Sequence, residues 1–189
     1  KIKLLMNECD KRRIKVIYIS SDAVFDGKKG NYSENNLPNS VDLYGKTKAL
    51  GELNLSDAVT IRTSYIGHEI KSAHGLLEWF LSQDKQVFGF SKALYNGLTT
   101  LELSKIIYDN FLNGKHLRGI YNVSSKPVSK HDLLCIINKT YKKSINIKKK
   151  NNVLIDRTLN SSYFRKKTGY KIKTWKKMLT ELIEFEINN

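Results

Sequence analysis

Short apolar runs alternate with helix-spaced segments along this chain, and this alternation restricts the fold more than any other feature. Val16–Ile19 is a four-residue apolar run typical of a buried parallel strand. Strands that alternate with helices predict an α/β fold with a parallel sheet. Further strands are predicted at 59–65, 86–90, 119–123 and 145–147, and helices at 2–9, 44–55, 75–83, 101–112, 129–141, 161–168 and 175–187.

The chain is strongly basic, with a formal net charge of +15 over 189 residues. Such a charge is compatible with nucleic-acid binding, with attraction of anionic nucleotides, or with a solvated lysine-rich surface. The lysines cluster at Lys142–Lys150 and Lys166–Lys177, away from any DNA-reading motif. Because charge runs usually lie on exposed faces, we favour the solvated surface and expect no nucleic-acid partner.

The two cysteines and the apolar runs restrict the remaining classes. Cys9 and Cys135 are far apart and belong to no Cys/His cluster, so we expect reduced thiols and no metal site. No apolar run approaches the roughly 20 residues that span a bilayer. We therefore expect a cytoplasmic protein without a membrane partner.

Tyr44 and Lys48 carry the sharpest chemical signal. Residues four apart on a helix lie on one face, so the two side chains are neighbours if the predicted helix forms. An ammonium beside a phenol favours the phenolate, which would prepare Tyr44 for proton exchange with a carbonyl or alcohol. The same spacing occurs by chance in many helices, with Tyr44 half-buried and Lys48 a surface charge.

Ser20 and Ser21 follow the predicted strand Val16–Ile19 directly. In open α/β sheets ligands bind beyond the carboxyl ends of the strands, so a hydroxyl there is positioned to contact a substrate oxygen. The alternative is that the serines cap a loop and that Asp22 stabilises a turn.

The segment YISSDAVFDGKKGNYSENNLPNSVDLYGKTKALGE, residues 18–52, resembles the extended short-chain dehydrogenase/reductases, and most closely the dTDP-4-dehydrorhamnose reductase branch. In that branch a strand leads into S-T-D-x-V-F-x-G and then Y-G-x-T-K-x-x-G-E. Later segments, including Ile61–Ser64, Asn96–Thr100 and Gly119–Ser124, are similar to the family's later strands and turns. Ala23 stands where these relatives usually have an aromatic residue, which affects the shape expected for a sugar pocket.

The resemblance implies roles for nine residues. Ser21, Tyr44 and Lys48 stand at the family's catalytic positions, with Lys48 also contacting the nicotinamide ribose. The cofactor would be NADP or NAD, and the implied fold is the C-terminal half of a Rossmann-like parallel sheet with a small C-terminal α/β substrate lobe. The implied cofactor-binding residues are Tyr44, Lys48, Ser20, Thr63 and Ser64, and the implied substrate-binding residues are Ser21, Asp22, Val24 and Phe25.

The resemblance also implies an activity: NAD(P)H-dependent reduction of a nucleotide-diphospho-4-keto-6-deoxysugar for surface-polysaccharide synthesis, such as dTDP-rhamnose biosynthesis. The alternatives are an epimerase or dehydratase of the same superfamily, an inactive fragment, or a binding subunit. A nucleotide-sugar is the implied partner, and the resemblance allows a homodimer for the full-length protein. Arg62 is open either to a substrate phosphate or to a structural ion pair, and Arg157 and Arg165 are candidates for a bidentate diphosphate contact. His68 is either a pocket residue or a plain loop residue.

A dinucleotide fold begins with a strand, a glycine-rich turn and a helix that holds the pyrophosphate, and this sequence has no such turn. Its first glycine is Gly27. We therefore expect residues 1–125 to be the C-terminal part of a dinucleotide-binding domain with interleaved lobe segments, and 126–189 to be mainly substrate lobe. We also expect Val16–Ile19 to form an exposed apolar edge and this polypeptide alone to bind no dinucleotide, which an NADPH titration checks.

Overall fold

The computed structural model describes residues 2–52, 58–70, 74–113 and 117–188. The helices are α1 (Ile2–Lys11), α2 (Leu43–Leu50), α3 (Leu76–Leu81), α4 (Thr100–Ile107), α5 (Lys130–Thr140), α6 (Ser162–Thr168) and α7 (Trp175–Ile187). The strands are β1 (Val16–Ile19), β2 (Ala58–Arg62), β3 (Tyr65–Ile66), β4 (Gln86–Phe90), β5 (Ala93–Tyr95), β6 (Leu98–Thr99), β7 (Gly119–Asn122), β8 (Val128–Ser129), β9 (Asn146–Lys150) and β10 (Ile155–Asp156).

Three parallel strands in the order β1-β2-β7 form the sheet that positions the predicted site. All five residues of β2 are buried, as expected for the middle strand of a sheet covered on both faces. Among the described strands β1 pairs with β2 alone, and its four residues are only half-buried. The predicted α/β fold with a parallel sheet is confirmed, and β1 is an edge strand of the described sheet.

The other strands form three small sheets. β5 pairs with β8 and β10, β4 with β9, and β3 with β6. These strands come from both sides of residue 125, so the segments of the expected substrate lobe are interleaved along the chain. The division into 1–125 and 126–189 stays a prediction.

Most predicted elements are present, and three differ. The strand predicted at 59–65 ends at Arg62, and Tyr65 begins β3, which pairs with β6 in a separate sheet. The helix predicted at 44–55 ends at Leu50, and 53–57 lie outside the described residues. The helix predicted at 101–112 is α-helical to Ile107 and then widens into one π turn over Tyr108–Leu112. Lys15 donates to the Phe111 carbonyl and so satisfies one of the carbonyls freed at this end.

A small apolar cluster ties the loop after β1 to the C-terminal part of the chain. It consists of Val24, Phe25, Tyr32 and Leu159, all at most 4% exposed. Tyr32 bridges to Leu159 as an isolated parallel pair, and its N–H donates to the Thr158 carbonyl at 2.8 Å. The loop is therefore held in place by residues more than a hundred positions away.

Within the described ranges, no helix has both the length and the apolar character needed to cross a membrane.

Candidate active site

The predicted catalytic serine lies in a 3-10 turn directly after β1. Ser21 is 7% exposed, and its Oγ accepts the N–H of Ala23 at 3.1 Å, which caps the turn Asp22–Val24. The N–H of Asp22 donates to the Thr63 carbonyl at 3.1 Å, so the turn is fixed to the segment that follows β2. The carboxyl ends of two neighbouring strands thus meet where the hydroxyl was predicted.

Helix α2 begins at a capped end and packs closely on this turn. Asp42 Oδ1 accepts the Gly45 N–H at 2.7 Å, the contact of an N-cap residue. That hydrogen bond holds the pKa of Asp42 below its usual range, with further help from Ser40 and Arg157. A Cβ at Gly45 would lie closer than 3.0 Å to the Ala23 carbonyl oxygen. The glycine is what allows the helix that carries Tyr44 to touch the turn that carries Ser21.

Gly45→Ala is expected to destabilise the protein although alanine is the better helix former. The helix preference gains about 1 kcal/mol, whereas overpacking a backbone contact costs about 1–3 kcal/mol and displaces α2 from the turn. Chemical denaturation measures the net change in stability, and turnover reports the displacement of α2 from the turn. Gly75→Ala is a suitable control, because its nearest neighbour is the end of the flexible Glu69 side chain. Equal stability of Gly45→Ala and the native protein would contradict this account of the contact.

The structure fixes Lys48 beside Tyr44 by two contacts with β1. Lys48 Nζ donates to the Ile19 carbonyl at 3.1 Å, and Tyr18 Oη donates to the Lys48 carbonyl at 3.1 Å. The ammonium lies 5.6 Å from the ring centroid of Tyr18 and 5.9 Å from that of Tyr44. Tyr44 is 57% exposed, so its phenol is open to a ligand. Lys48 is therefore held between the strand end and the predicted proton donor.

Tyr18 contacts the Lys48 backbone, although no sequence pattern singled it out. Burial, and then the negative charge of Glu52, raise its pKa, so it remains a neutral hydrogen-bond donor to the Lys48 backbone. The one available signal was its place in β1, two residues before Ser20.

Ser20 takes part in a buried charged network. Its hydroxyl donates to Glu52 Oε1 at 2.6 Å, and the same carboxylate receives Arg62 Nε at 2.9 Å and Nη2 at 2.7 Å. The side chains of Arg62 and Glu52 are 2% and 4% exposed. Of the two roles open for Arg62, the structure shows the structural ion pair. The cofactor contact predicted for Ser20 stays a prediction. In this structure the Ser20 hydroxyl donates its proton to the hydrogen bond with Glu52.

Thr63 and Ser64 lie at the carboxyl end of β2, beside the Ser21 turn. Thr63 is 1% exposed, while Ser64 is partly exposed and lies next to the buried phenol of Tyr95. Their backbone carbonyls accept the N–H groups of Asp22 and Leu98. Both residues thus help to build the site, and their contact with a nicotinamide remains predicted.

Val24 and Phe25 are fully buried in the cluster under the loop. The Phe25 ring stacks on that of Tyr32 with centroids 4.1 Å apart. The Arg62 guanidinium lies 5.1 Å from the centroid of the same Phe25 ring. This burial favours a packing role over the substrate contact predicted for these two side chains. Asp22, in contrast, is only partly buried.

The remaining candidates are dispersed. Arg157 Nη2 lies 3.1 Å from Asp42 Oδ2, so this arginine contacts the cap of α2. Arg165 is exposed on α6. His68 lies away from the turn, with Nδ1 2.5 Å from Glu78 and Nε2 3.1 Å from Glu186 of α7. Within the described ranges no group of three or more His, Cys, Asp or Glu side chains is arranged to hold a metal ion.

The model of the RmlD substrate binding domain family matches residues 2–186, nearly the whole chain. The chain belongs to this family. A hypothetical dTDP-4-dehydrorhamnose reductase from Sulfolobus tokodaii is 26% identical, with a TM-score of 0.78 over 92% of this chain and 65% of that one. The NADP-bound dTDP-4-dehydrorhamnose reductase of Bacillus anthracis is 18% identical, with a TM-score of 0.80 over 94% of this chain and 68% of that one. These matches confirm the Rossmann-like fold.

Curated relatives of this RmlD-family chain include methionine adenosyltransferase 2 subunit beta. The Danio rerio protein is 28% identical over 135 residues, which is 65% of this chain and 42% of that protein. The Bos taurus protein is 60% identical over 37 residues. The chain thus spans less than half of the length of these relatives and about two thirds of the solved structures.

The residues present fit one end of a nicotinamide dinucleotide. Lys48 spends one N–H on the Ile19 carbonyl, which leaves ammonium donors for a ribose hydroxyl. One of the similar solved structures contains NADP, and another, a dTDP-glucose 4,6-dehydratase, contains NAD. The pyrophosphate end requires a glycine-rich turn, which these 189 residues do not contain.

Proposed function

We propose that this chain carries the catalytic group of an NAD(P)H-dependent reductase of a nucleotide-diphospho-4-keto-6-deoxysugar, in the synthesis of surface-polysaccharide sugars. The observation that carries the proposal is the fixed Lys48 ammonium. It lies between the Ile19 carbonyl and the Tyr44 ring, on a helix that touches the Ser21 turn. A chance Tyr and Lys pair on a surface helix would have no such anchor on a strand end.

Each of the three residues has one task in this reaction. The reduced nicotinamide, when bound, supplies the hydride that adds to the carbonyl carbon of the sugar. Tyr44 gives its phenolic proton to the carbonyl oxygen, and the product is the alcohol. Lys48 stabilises the phenolate that remains until solvent reprotonates it, and Ser21 polarises the carbonyl by a hydrogen bond.

A turnover assay tests the proposal. The full-length protein is produced for this assay. NADPH or NADH is then supplied with dTDP-4-dehydrorhamnose, a nucleotide-diphospho-4-keto-6-deoxysugar, and with the UDP analogue as the matched comparison. Sugar-dependent loss of reduced nicotinamide, with the 4-hydroxy sugar as product, supports the reductase. No loss with either nucleotide contradicts it.

A second candidate is a non-catalytic subunit of a larger complex. It is favoured by the 60% identity over 37 residues to a methionine adenosyltransferase beta subunit. This candidate expects a change in the activity of a methionine adenosyltransferase on mixing, without turnover of a keto sugar. The Ser21, Tyr44 and Lys48 set favours the reductase.

A further inference from the structure

The hydroxyl proton of Ser21 has one partner in the structure, and that partner is an acid. Ser21 Oγ lies 3.2 Å from Asp22 Oδ1 and accepts the Ala23 N–H at 3.1 Å. A serine hydroxyl has one proton to donate and can accept two hydrogen bonds. Beside an ionised Asp22, which can only accept, the proton of Ser21 points to the carboxylate and not to a substrate.

The surroundings of Asp22 oppose its ionisation. Protein packed round the carboxyl raises its pKa from 3.8 to about 6, against the lowering effect of the Ser21 hydrogen bond, of two cations and of the Ala23 backbone N–H. These cations are Arg157, which also contacts Asp42, and Lys130 at the start of α5. The buried phenol of Tyr95 faces the same carboxyl from β5. Both protonation states are therefore accessible near neutral pH.

We propose that Asp22 is a positioning residue that acts through Ser21: the neutral carboxyl donates to Ser21 Oγ and so frees the serine proton for the substrate carbonyl oxygen. Ser21 Oγ then accepts from the Ala23 N–H and from Asp22, and donates to the ketone, which uses its full capacity of two acceptor sites and one donor. When Asp22 is ionised, the Ser21 hydroxyl donates its hydrogen bond to the carboxylate and is no longer available to the ketone. This role rests on the proposed reductase function.

Capping alone does not account for this pair. Ser21 caps the turn by accepting the Ala23 N–H, and that contact needs no carboxyl. A direct contact of Asp22 with the sugar, the role implied by the family resemblance, would change KM. A role through Ser21 instead changes kcat and its dependence on pH.

The test is Asp22→Asn in the full-length enzyme, with kcat measured from pH 5 to pH 8. The amide keeps the shape and can donate to Ser21 but cannot ionise. We expect the native kcat to fall about tenfold for each pH unit above about 6, and that of Asp22→Asn to stay level. Asp26→Asn, a change of an acid in the same loop, should keep the native profile. An Asp22→Asn profile that falls like the native one, or a change in KM alone, would overturn the role.

A second measurement is independent of turnover. The pKa of Asp22 is higher in the folded state than in the unfolded state, so its contribution to stability is complete below about pH 4 and is lost as pH rises through about 6. The folding equilibrium constant of the native protein should therefore fall up to about 100-fold relative to Asp22→Asn between pH 4 and pH 7. A constant ratio would remove the basis of the inference.

The turnover assay and the pH profile of kcat together separate this inference from the proposed function. A native enzyme that turns over no keto sugar overturns both the reductase and this role of Asp22. A native enzyme that turns over the sugar, with Asp22→Asn showing the native pH profile, overturns only the role of Asp22.

Discussion

Tyr44→Phe is expected to lower kcat of the full-length enzyme by about 10²- to 10⁴-fold, the usual contribution of a general acid. The substitution removes only the phenolic oxygen. Lys48 keeps its contact with the Ile19 carbonyl, and the turn of Ser21 keeps its contact with α2. Binding of cofactor and sugar should therefore change by no more than about threefold, as measured by titration.

Tyr108→Phe provides the matched control. Tyr108 has the same exposed fraction as Tyr44, 57%, and lies in the π turn after α4. Its replacement should leave kcat within about twofold of the native value. Turnover by Tyr44→Phe equal to that of this control would exclude Tyr44 as the proton donor.

Arg62→Met is expected to destabilise the protein by about 3–5 kcal/mol, the cost of leaving a buried charge without its partner. Glu52 would keep only the Ser20 hydroxyl as a hydrogen-bond donor among the contacts described above. For a chain of this size the midpoint of thermal unfolding should fall by roughly 10 °C. Urea denaturation gives the free energy directly.

Arg12→Met tests whether burial causes that loss. Arg12 Nε lies 2.9 Å from Glu8 Oε1, the same separation as in the buried pair, but the two side chains are 68% and 49% exposed. Solvent screens this pair, so its loss should change the free energy of unfolding by less than about 1 kcal/mol. Similar losses for the two variants would show that the Arg62 pair gains nothing from being buried.

Local patterns predicted the elements that frame the site. Val16–Ile19 is a strand as predicted, because four consecutive apolar residues suit a sheet covered on both faces. The helix predicted at 129–141 is α5, and Ser129 caps it by accepting the Asp132 N–H at 3.0 Å. Such signals depend on residues a few positions apart, which is why they can be read from the chain alone.

Other features depended on residues that are distant in sequence. Helix α1 was predicted from the spacing of four residues, Ile2, Leu5, Met6 and Cys9, yet Met6 is buried whereas Leu5 is 66% exposed. Glu102 is 3% exposed. Its carboxylate accepts hydrogen bonds from the Tyr170 hydroxyl at 2.8 Å and from the Lys173 ammonium at 2.7 Å. Nothing near Glu102 in the sequence indicates partners about seventy residues away.

The sequence by itself determined the order of strand end, hydroxyl turn and Tyr–Lys helix, together with the family to which that order belongs. Only the tertiary structure decided which charged and polar side chains form ion pairs and hydrogen bonds with one another. The parallel register of β1 and β2 brings Ser20 to Arg62 and Glu52, and the close approach of α2 at Gly45 sets Tyr44 beside the turn. Ion pairs and hydrogen bonds form only between atoms a few ångströms apart. These distances are set by how the chain folds, and the separation of two residues along the sequence does not determine them.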